Sequence, residues 1–268
     1  MYKKQIMKLS YTLAFALLFT LFACNKKTAT TENTVFTKIS SDQSGIKFVN
    51  AVSNTKDVNI LTYRNYYNGG GVAIGDINND GLSDVFFTAN MSANKLYLNK
   101  GGMKFDDISA KAGVESKDNW STGVVMVDIN NDGFLDIYVC NAGYLNGIVP
   151  KNQLFINNKD LTFTEKAHEY GLDESGYSTH AAFFDYDGDG DLDCYVLKNS
   201  FIPVNALNFS NQRDVRAKDW PVKDFLKGGG DVLLRNDNAK FVDVSEKAGI
   251  YGSLIGDRKS TRLNSSHQ

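Results

Sequence analysis

Three nine-residue stretches place side-chain oxygens at fixed intervals: Asp76–Asp84 (DINNDGLSD), Asp128–Asp136 (DINNDGFLD) and Asp185–Asp193 (DYDGDGDLD). Written D-x-[DN]-x-D-G-x-x-D, the pattern offers side-chain oxygens at positions one, three, five and nine. Position seven can add its backbone carbonyl, and the glycine at six permits a sharp turn. This is the oxygen spacing of an EF-hand-like calcium loop without the reach to a Glu at position twelve. The expected ligands are Asp76, Asn78, Asp80, the Leu82 carbonyl and Asp84 in the first loop. In the second they are Asp128, Asn130, Asp132, the Phe134 carbonyl and Asp136; in the third Asp185, Asp187, Asp189, the Asp191 carbonyl and Asp193. Several carboxylates in one short loop repel one another unless a cation sits between them. The other reading is a set of Asx-turns that shape hairpins. Repetition with every ligand position filled favours calcium, one Ca²⁺ per loop. Mg²⁺ fits less well because it demands octahedral geometry and keeps its waters.

The loops must be held by something that repeats. Their starts lie 52 and 57 residues apart, and a second motif keeps step with them. Lys95–Asn99, Gln153–Asn157 and Val232–Asn236 each end in Asn; an aromatic follows five or six residues on (Phe105, Phe163, Phe241), and a glycine eight beyond that (Gly113, Gly171, Gly249). Each unit reads as four short strands rich in Val, Ile, Phe and Tyr and bounded by Gly, Asn and Asp. In the first unit they fall near Val72–Gly75, Asp84–Thr88, Lys95–Leu98 and Lys104–Ile108. Four-stranded units of this length are a propeller signature, and they are long for one coil of a β-solenoid. Phe36–Ser40 with Gly45 copies the last strand of a unit, as an N-terminal strand lent to a closing blade would. Composition agrees: 23 Gly against 3 Pro, and 30 Tyr plus Phe, in 268 residues suit short strands and tight turns.

The ends have other fates. Lys3, Lys4 and Lys8 precede the apolar run Leu9–Ala23, too short to span a bilayer comfortably. It ends Leu21-Phe22-Ala23-Cys24, similar to a lipobox, so residues 1–24 are expected to be a lipoprotein signal with Cys24 the lipidated residue. The other reading is an ordinary secretory signal with an incidental cysteine. Residues 25–35 are polar and small, as a tether would be. Residues 36–256 form the repeat region, about three blades and the start of a fourth. Residues 257–268 (DRKSTRLNSSHQ) resemble translated adaptor sequence, so the propeller is expected to be truncated. The formal charge of −2 hides an uneven distribution. Residues 1–24 carry three Lys and no acid, and residues 257–268 three basic residues and one acid. The body keeps 23 basic and 30 acidic residues, a net of −7. An acidic body suits cations and disfavours nucleic acid. Cys140 and Cys194 fall three residues out of phase in their repeats, on opposite strand faces. That favours two buried, unpaired thiols over a disulfide.

The loops, with Gly69–Gly75 ahead of the first, resemble FG-GAP/VCBS repeats of the integrin-type propeller. The Phe36–Asn50 opening and the Ala112-Gly113-Val114 and Ala248-Gly249-Ile250 closings resemble the ASPIC/UnbV, cartilage acidic protein-like group. The resemblance covers about residues 36–256. It implies an all-β, calcium-stabilised partial integrin-type β-propeller, about seven blades when complete, in an anchored protein of Bacteroidetes-type bacteria, on the outer membrane or cell surface. The Phe-Gly dipeptide of FG-GAP repeats is absent, so the looser VCBS description fits better.

Two functional readings follow. One is a membrane-anchored extracytoplasmic scaffold binding an extracellular protein or glycan. Its support is the long insertions Asn141–Lys151 and Asn199–Gly228, the latter carrying Phe209, Arg213, Arg216 and Trp220; a packed connection with surface charges is equally compatible. The alternative is the non-catalytic repeat region of a larger surface enzyme, such as a hydrolase, or of an ASPIC/UnbV-domain protein. No Ser-His-Asp set, HExxH motif or phosphate loop is present. A single active site would not be copied in each unit, so the chain is not expected to be an enzyme.

Overall fold

The computed structural model describes residues 35–143, 150–199 and 229–250. The chain divides into two units, residues 1–39 and 40–268. In the first, residues 35–39 are exposed and form no strand, so the expected N-terminal strand is not present among the described residues. Among its described residues the second holds three four-stranded antiparallel meanders, an all-β, propeller-like arrangement whose described sheets do not close into a ring.

Sheet one is β1 (Val72–Gly75), β2 (Asp84–Phe87), β3 (Lys95–Asn99) and β4 (Phe105–Asp107), within a residue or two of the expected bounds. Sheet two is β5 (Ser121–Val127), β6 (Asp136–Asn141), β7 (Gln153–Asn157) and β8 (Phe163–Glu165). Sheet three is β9 (Ser178–Phe184), β10 (Asp193–Lys198), β11 (Val232–Asn236) and β12 (Phe241–Asp243). The pairings Val72↔Phe87, Val124↔Val139 and Ala181↔Val196 set the three sheets in one common register.

Apolar residues fill the space between consecutive sheets. Phe86, Leu96, Val124, Ile137 and Phe155 join sheets one and two. Tyr138, Leu154, Val196 and Leu234 join sheets two and three. Strand β6 is buried at all six residues because the middle sheet has a neighbour on either face. Strand β1 instead alternates, with Val72 and Ile74 exposed. Burying a Leu, Ile or Phe side chain in this way contributes about 1.5–3 kcal/mol. Cys140 and Cys194 are buried and unpaired. Opposite faces of neighbouring sheets are the two sides of one interface, so both thiols enter the same cluster. Burial pushes the Cys140 thiol up to about 12.

A single helical turn follows β4 and β8: α2 (Ser109–Ala112) and α3 (Ala167–Tyr170), with α1 (Ser41–Ser44) preceding sheet one. Each ends at the repeated glycine, Gly45, Gly113 or Gly171, whose N–H closes the turn. Four residues are too few to register as a helical period, so the residue pattern does not show these turns. The repeats also contain a correlated exchange. In sheet one the Leu96 N–H donates to Ser109 Oγ at 2.8 Å, and in sheet three Leu233 donates to Ser245 at 2.9 Å. Sheet two has Ala167 at this place, and the longer Glu165 replaces the Asp of its counterparts. Its Oε1 accepts the Leu154 N–H at 3.2 Å and the Ala167 N–H at 2.9 Å. The buried donor is satisfied by either solution.

The segment before β1 folds over one end of the sheets. Tyr63 and Tyr66 pack against Trp120 with ring centroids 5.4 and 5.3 Å apart, and Tyr63 lies 6.3 Å from Tyr177. These rings lie far apart in sequence and carry no period, so the residue pattern does not show their cluster.

Candidate metal centres

Each Asp loop joins the first and second strands of its sheet, and its ninth residue opens the second strand. That residue is buried: Asp84 and Asp136 are 0% exposed and Asp193 is 1%. Its two oxygens are taken by main-chain donors. One is the second loop residue: Ile77 at 3.0 Å, Ile129 at 3.2 Å, Tyr186 at 2.6 Å. The other is the Asn that ends the third strand: Asn99 at 2.7 Å, Asn157 and Asn236 at 2.8 Å. The same Asn side chain donates back to the carbonyl before the Asp: Ser83 at 2.8 Å, Leu135 at 3.1 Å, Leu192 at 3.3 Å. The terminal Asn, read from sequence as a register marker, thus locks the loop root. Burial pushes the Asp84 carboxyl up and that of Asp136 to about 6, against the lowering effect of those hydrogen bonds.

The rest of the loop curls around its first residue. Asp76 Oδ2 accepts the Gly81 N–H at 2.7 Å, Asp128 that of Gly133 at 2.8 Å, and Asp185 that of Gly190 at 3.1 Å. The position-five carboxylate accepts the position-seven amide: Leu82 to Asp80 at 2.9 Å, Phe134 to Asp132 at 3.0 Å, Asp191 to Asp189 at 2.9 Å. The backbone adopts positive φ at positions four and six (Asn79 58° and Gly81 85°; Asn131 54° and Gly133 85°; Gly188 80° and Gly190 95°). Asn and Gly tolerate that region, which accounts for Asn, Asn and Gly at position four.

The loops differ in charge. In the third, oxygens of Asp185, Asp187 and Asp193 lie within 4.8 Å of one another, two residues exposed and one buried. Asp187 stands where the first two loops have Asn78 and Asn130. Those asparagines accept the position-five amides, at 3.3 Å from Asp80 and 3.1 Å from Asp132. In the second loop, Lys159 Nζ is 3.4 Å from Asp132 and 5.0 Å from the Phe134 ring centroid. Asn79 Nδ2 donates to the Gly133 carbonyl at 2.9 Å and links the first loop to the second. Hydrogen bonds shape these loops but do not neutralise them. Three converging carboxylates with hard oxygen donors fit a divalent oxygen-seeking cation such as Ca²⁺. The residues that would hold it in the third loop are Asp185, Asp187 and Asp193.

Cys24, the tether up to residue 34, the 257–268 segment and the insertion residues Phe209, Arg213, Arg216 and Trp220 lie outside the described residues. No helix among the described residues is long and apolar enough to cross a membrane.

Comparison with known proteins gives the same reading of the repeats. Residues 76–139 and 144–196 match the FG-GAP-like repeat. A 78-residue stretch is 40% identical to cartilage acidic protein 1 of Xenopus tropicalis, covering 29% of this chain and 12% of that protein. A 76-residue stretch is 37% identical to the human protein of that name, covering 28% and 12%. The match therefore spans about one eighth of these relatives. Over residues 76–139 and 144–196 the chain is similar to FG-GAP-like repeats, which fits a repeat scaffold.

Proposed function

We propose that this chain is a calcium-stiffened, lipid-anchored extracytoplasmic scaffold that binds a protein or glycan and performs no catalysis. The observation that carries the calcium reading is the approach of Asp185, Asp187 and Asp193 on a loop whose root is fixed by Asn236. A cation between those carboxylates removes their repulsion and ties the loop tip to the buried root. The anchor reading rests on the basic and apolar N-terminus ending at Cys24, and the outer membrane is the proposed site. The acidic body argues against a nucleic-acid partner.

Extracellular calcium modules have Kd of order 10⁻⁴–10⁻³ M. At about 100 Kd, each occupied site adds roughly 2.7 kcal/mol. The melting temperature is expected to rise in millimolar calcium and fall in chelator. An identical melt in both overturns the calcium reading. Radiolabelled lipid is expected to enter the wild-type protein but not Cys24→Ser; equal labelling of both removes the anchor.

A further inference from the structure

The first and second Asp loops offer a cation the same side chains. Asp76, Asn78, Asp80 and Asp84 in one match Asp128, Asn130, Asp132 and Asp136 in the other. Their internal hydrogen bonds match as well. The position-five N–H donates to the first residue at 3.2 and 2.9 Å and to the third at 3.3 and 3.1 Å. The loops part at one oxygen. In loop one, Asp80 Oδ2 accepts from Asn78 Nδ2 at 3.0 Å. In loop two, Asp132 Oδ2 faces Lys159 Nζ at 3.4 Å. The same ammonium lies 5.0 Å from the ring centroid of Phe134, the position-seven residue.

Lys159 is supplied by the turn between β7 and β8. Asn157 Oδ1 accepts its N–H at 2.8 Å, as Asn99 Oδ1 accepts that of Gly101 at 2.9 Å in sheet one. The turns Asn99–Phe105 and Asn157–Phe163 have equal length, so Gly101 and Lys159 are equivalent positions. Both have positive φ, 80° and 67°. Glycine adopts that conformation freely, whereas lysine meets a steric penalty there. Space confirms the equivalence: a Cβ on Gly101 would lie 3.9 Å from Leu82, the position-seven residue of loop one. Two facing residues have therefore exchanged together, Gly101 and Leu82 in the first unit for Lys159 and Phe134 in the second. A cation stands at a turn position that disfavours it, and an aromatic face that attracts cations stands where loop one has an aliphatic side chain. Asp132 is partly buried where Asp80 is exposed.

We infer that Lys159 is a tethered counter-ion of loop two and sets its calcium affinity below that of loop one. The inference rests on the calcium reading above and specifies how one of those sites is tuned. Calcium loops adjust affinity through the charge of their ligands. Asp132 is the position-five ligand, and the ammonium already compensates part of its charge. Calcium must displace that ammonium or share the carboxylate against its repulsion. The side chains of Lys159 and Asp132 are 45% and 25% exposed, so water screens the pair and displacement stays feasible. An ion pair and a cation–π contact of this exposure correspond together to about a three- to tenfold difference in affinity. Loops one and two share their other ligand types, so the difference between them falls on this lysine.

Calorimetric calcium titrations of the full chain, one loop at a time, test this. Loop two is read with Asp80→Ala and Asp187→Ala in place, and loop one with Asp132→Ala and Asp187→Ala. Native mass spectrometry checks that one ion remains, and melts in chelator check that each variant is folded. Loop one is expected to bind about three- to tenfold more tightly than loop two. Lys159→Met keeps most of the stem, removes the charge and is expected to close that gap; Lys159→Gly, the residue of sheet one, is expected to do the same. Gly101→Lys is expected to weaken loop one. Equal affinities of the two loops, or a loop-two affinity unchanged by Lys159→Met, overturn the role of Lys159 and leave the calcium reading standing. A wild-type chain that takes up no calcium in any loop overturns both.

Discussion

At the root of the loops, Asp84, Asp136 and Asp193 are buried, and each accepts two main-chain N–H groups. At the tips, Asp80, Asp187 and Asp189 are exposed. The residue type is the same and the separation is only a few positions. The root carboxylate is a structural acceptor that the fold needs whether or not a cation is present. The tip carboxylates are held within the loop, where Asp80 and Asp189 accept the Leu82 and Asp191 amides, and they repel one another, so their demand is for a cation. A nine-residue pattern therefore contains two functions. The Asn that closes the third strand marks where one ends and the other begins.

The largest expected effect tests that division directly. Asp193→Ala leaves the Tyr186 and Asn236 amides without their acceptor, and is expected to cost about 3 kcal/mol or more even in chelator. Asp187→Ala is expected to be neutral or slightly stabilising in chelator, because it removes repulsion, and to lose the calcium-dependent gain. Denaturant melts of both variants, with and without calcium, check this. Equal costs in chelator would erase the distinction between root and tip.

Next is pH. Asp136 is raised to about 6 in the folded chain against about 3.9 unfolded. The folded state therefore holds this proton more tightly. Its contribution is fully present below about pH 3.9 and is lost as pH rises through about 6, a change of up to roughly 3 kcal/mol. In chelator, the Asp136→Asn variant is expected to lose that decline relative to wild type across this window, as read by urea midpoints. Wild type and variant running parallel would show that burial of the root carboxylate carries no proton cost.

The comparison extends from loops to sheets. Glu165 compensates for Ala167, so Glu165→Asp alone is expected to cost about 1–2 kcal/mol by stranding the Leu154 amide. Adding Ala167→Ser is expected to restore most of it, giving a favourable coupling in a double-mutant cycle. Additive effects would refute the exchange. The smallest effect concerns sheet one. Tyr138 OH accepts from Asn152 Nδ2 at 2.9 Å, and Tyr195 OH donates to Asp231 at 2.8 Å. Phe86 holds the same register position without a hydroxyl, and Asn94 Nδ2 is buried without a partner. Phe86→Tyr is expected to stabilise the chain by about 1 kcal/mol; a lower denaturant midpoint would mean the hydroxyl cannot be accommodated.

Much of this was legible in the sequence because the repeat supplied three independent readings of one unit. Strand order and bounds followed from the alternation of Val, Ile, Phe and Tyr runs with Gly-Asn-Asp turns. The Asp loops stood out because metal-type spacing is local. What escaped was either too short or too distant. The four-residue turns Ser109–Ala112 and Ala167–Tyr170 carry less than one helical period beyond a single turn. The partnership of Asp84 with Asn99 crosses two strands, so spacing alone showed two markers and not their bond. The cluster of Tyr63, Tyr66, Trp120 and Tyr177 joins residues from three stretches of chain that repeat nothing. The departure of His180 from the repeat was visible in principle, since glycine stands at that position in the other two units. Gly71, Gly123 and His180 each stand five residues before the first Asp of their loop, so spacing already aligns them.

The most direct test of the central claim is a calcium titration of the full chain, with bound ions counted by native mass spectrometry and affinities read by calorimetry. The account predicts saturable binding of calcium, with the third loop the tightest site because it carries the most carboxylates. Asp185→Ala combined with Asp187→Ala should remove one ion and leave the others. A wild-type chain that binds no calcium at millimolar concentration, or a double variant that binds as many ions as wild type, would contradict it.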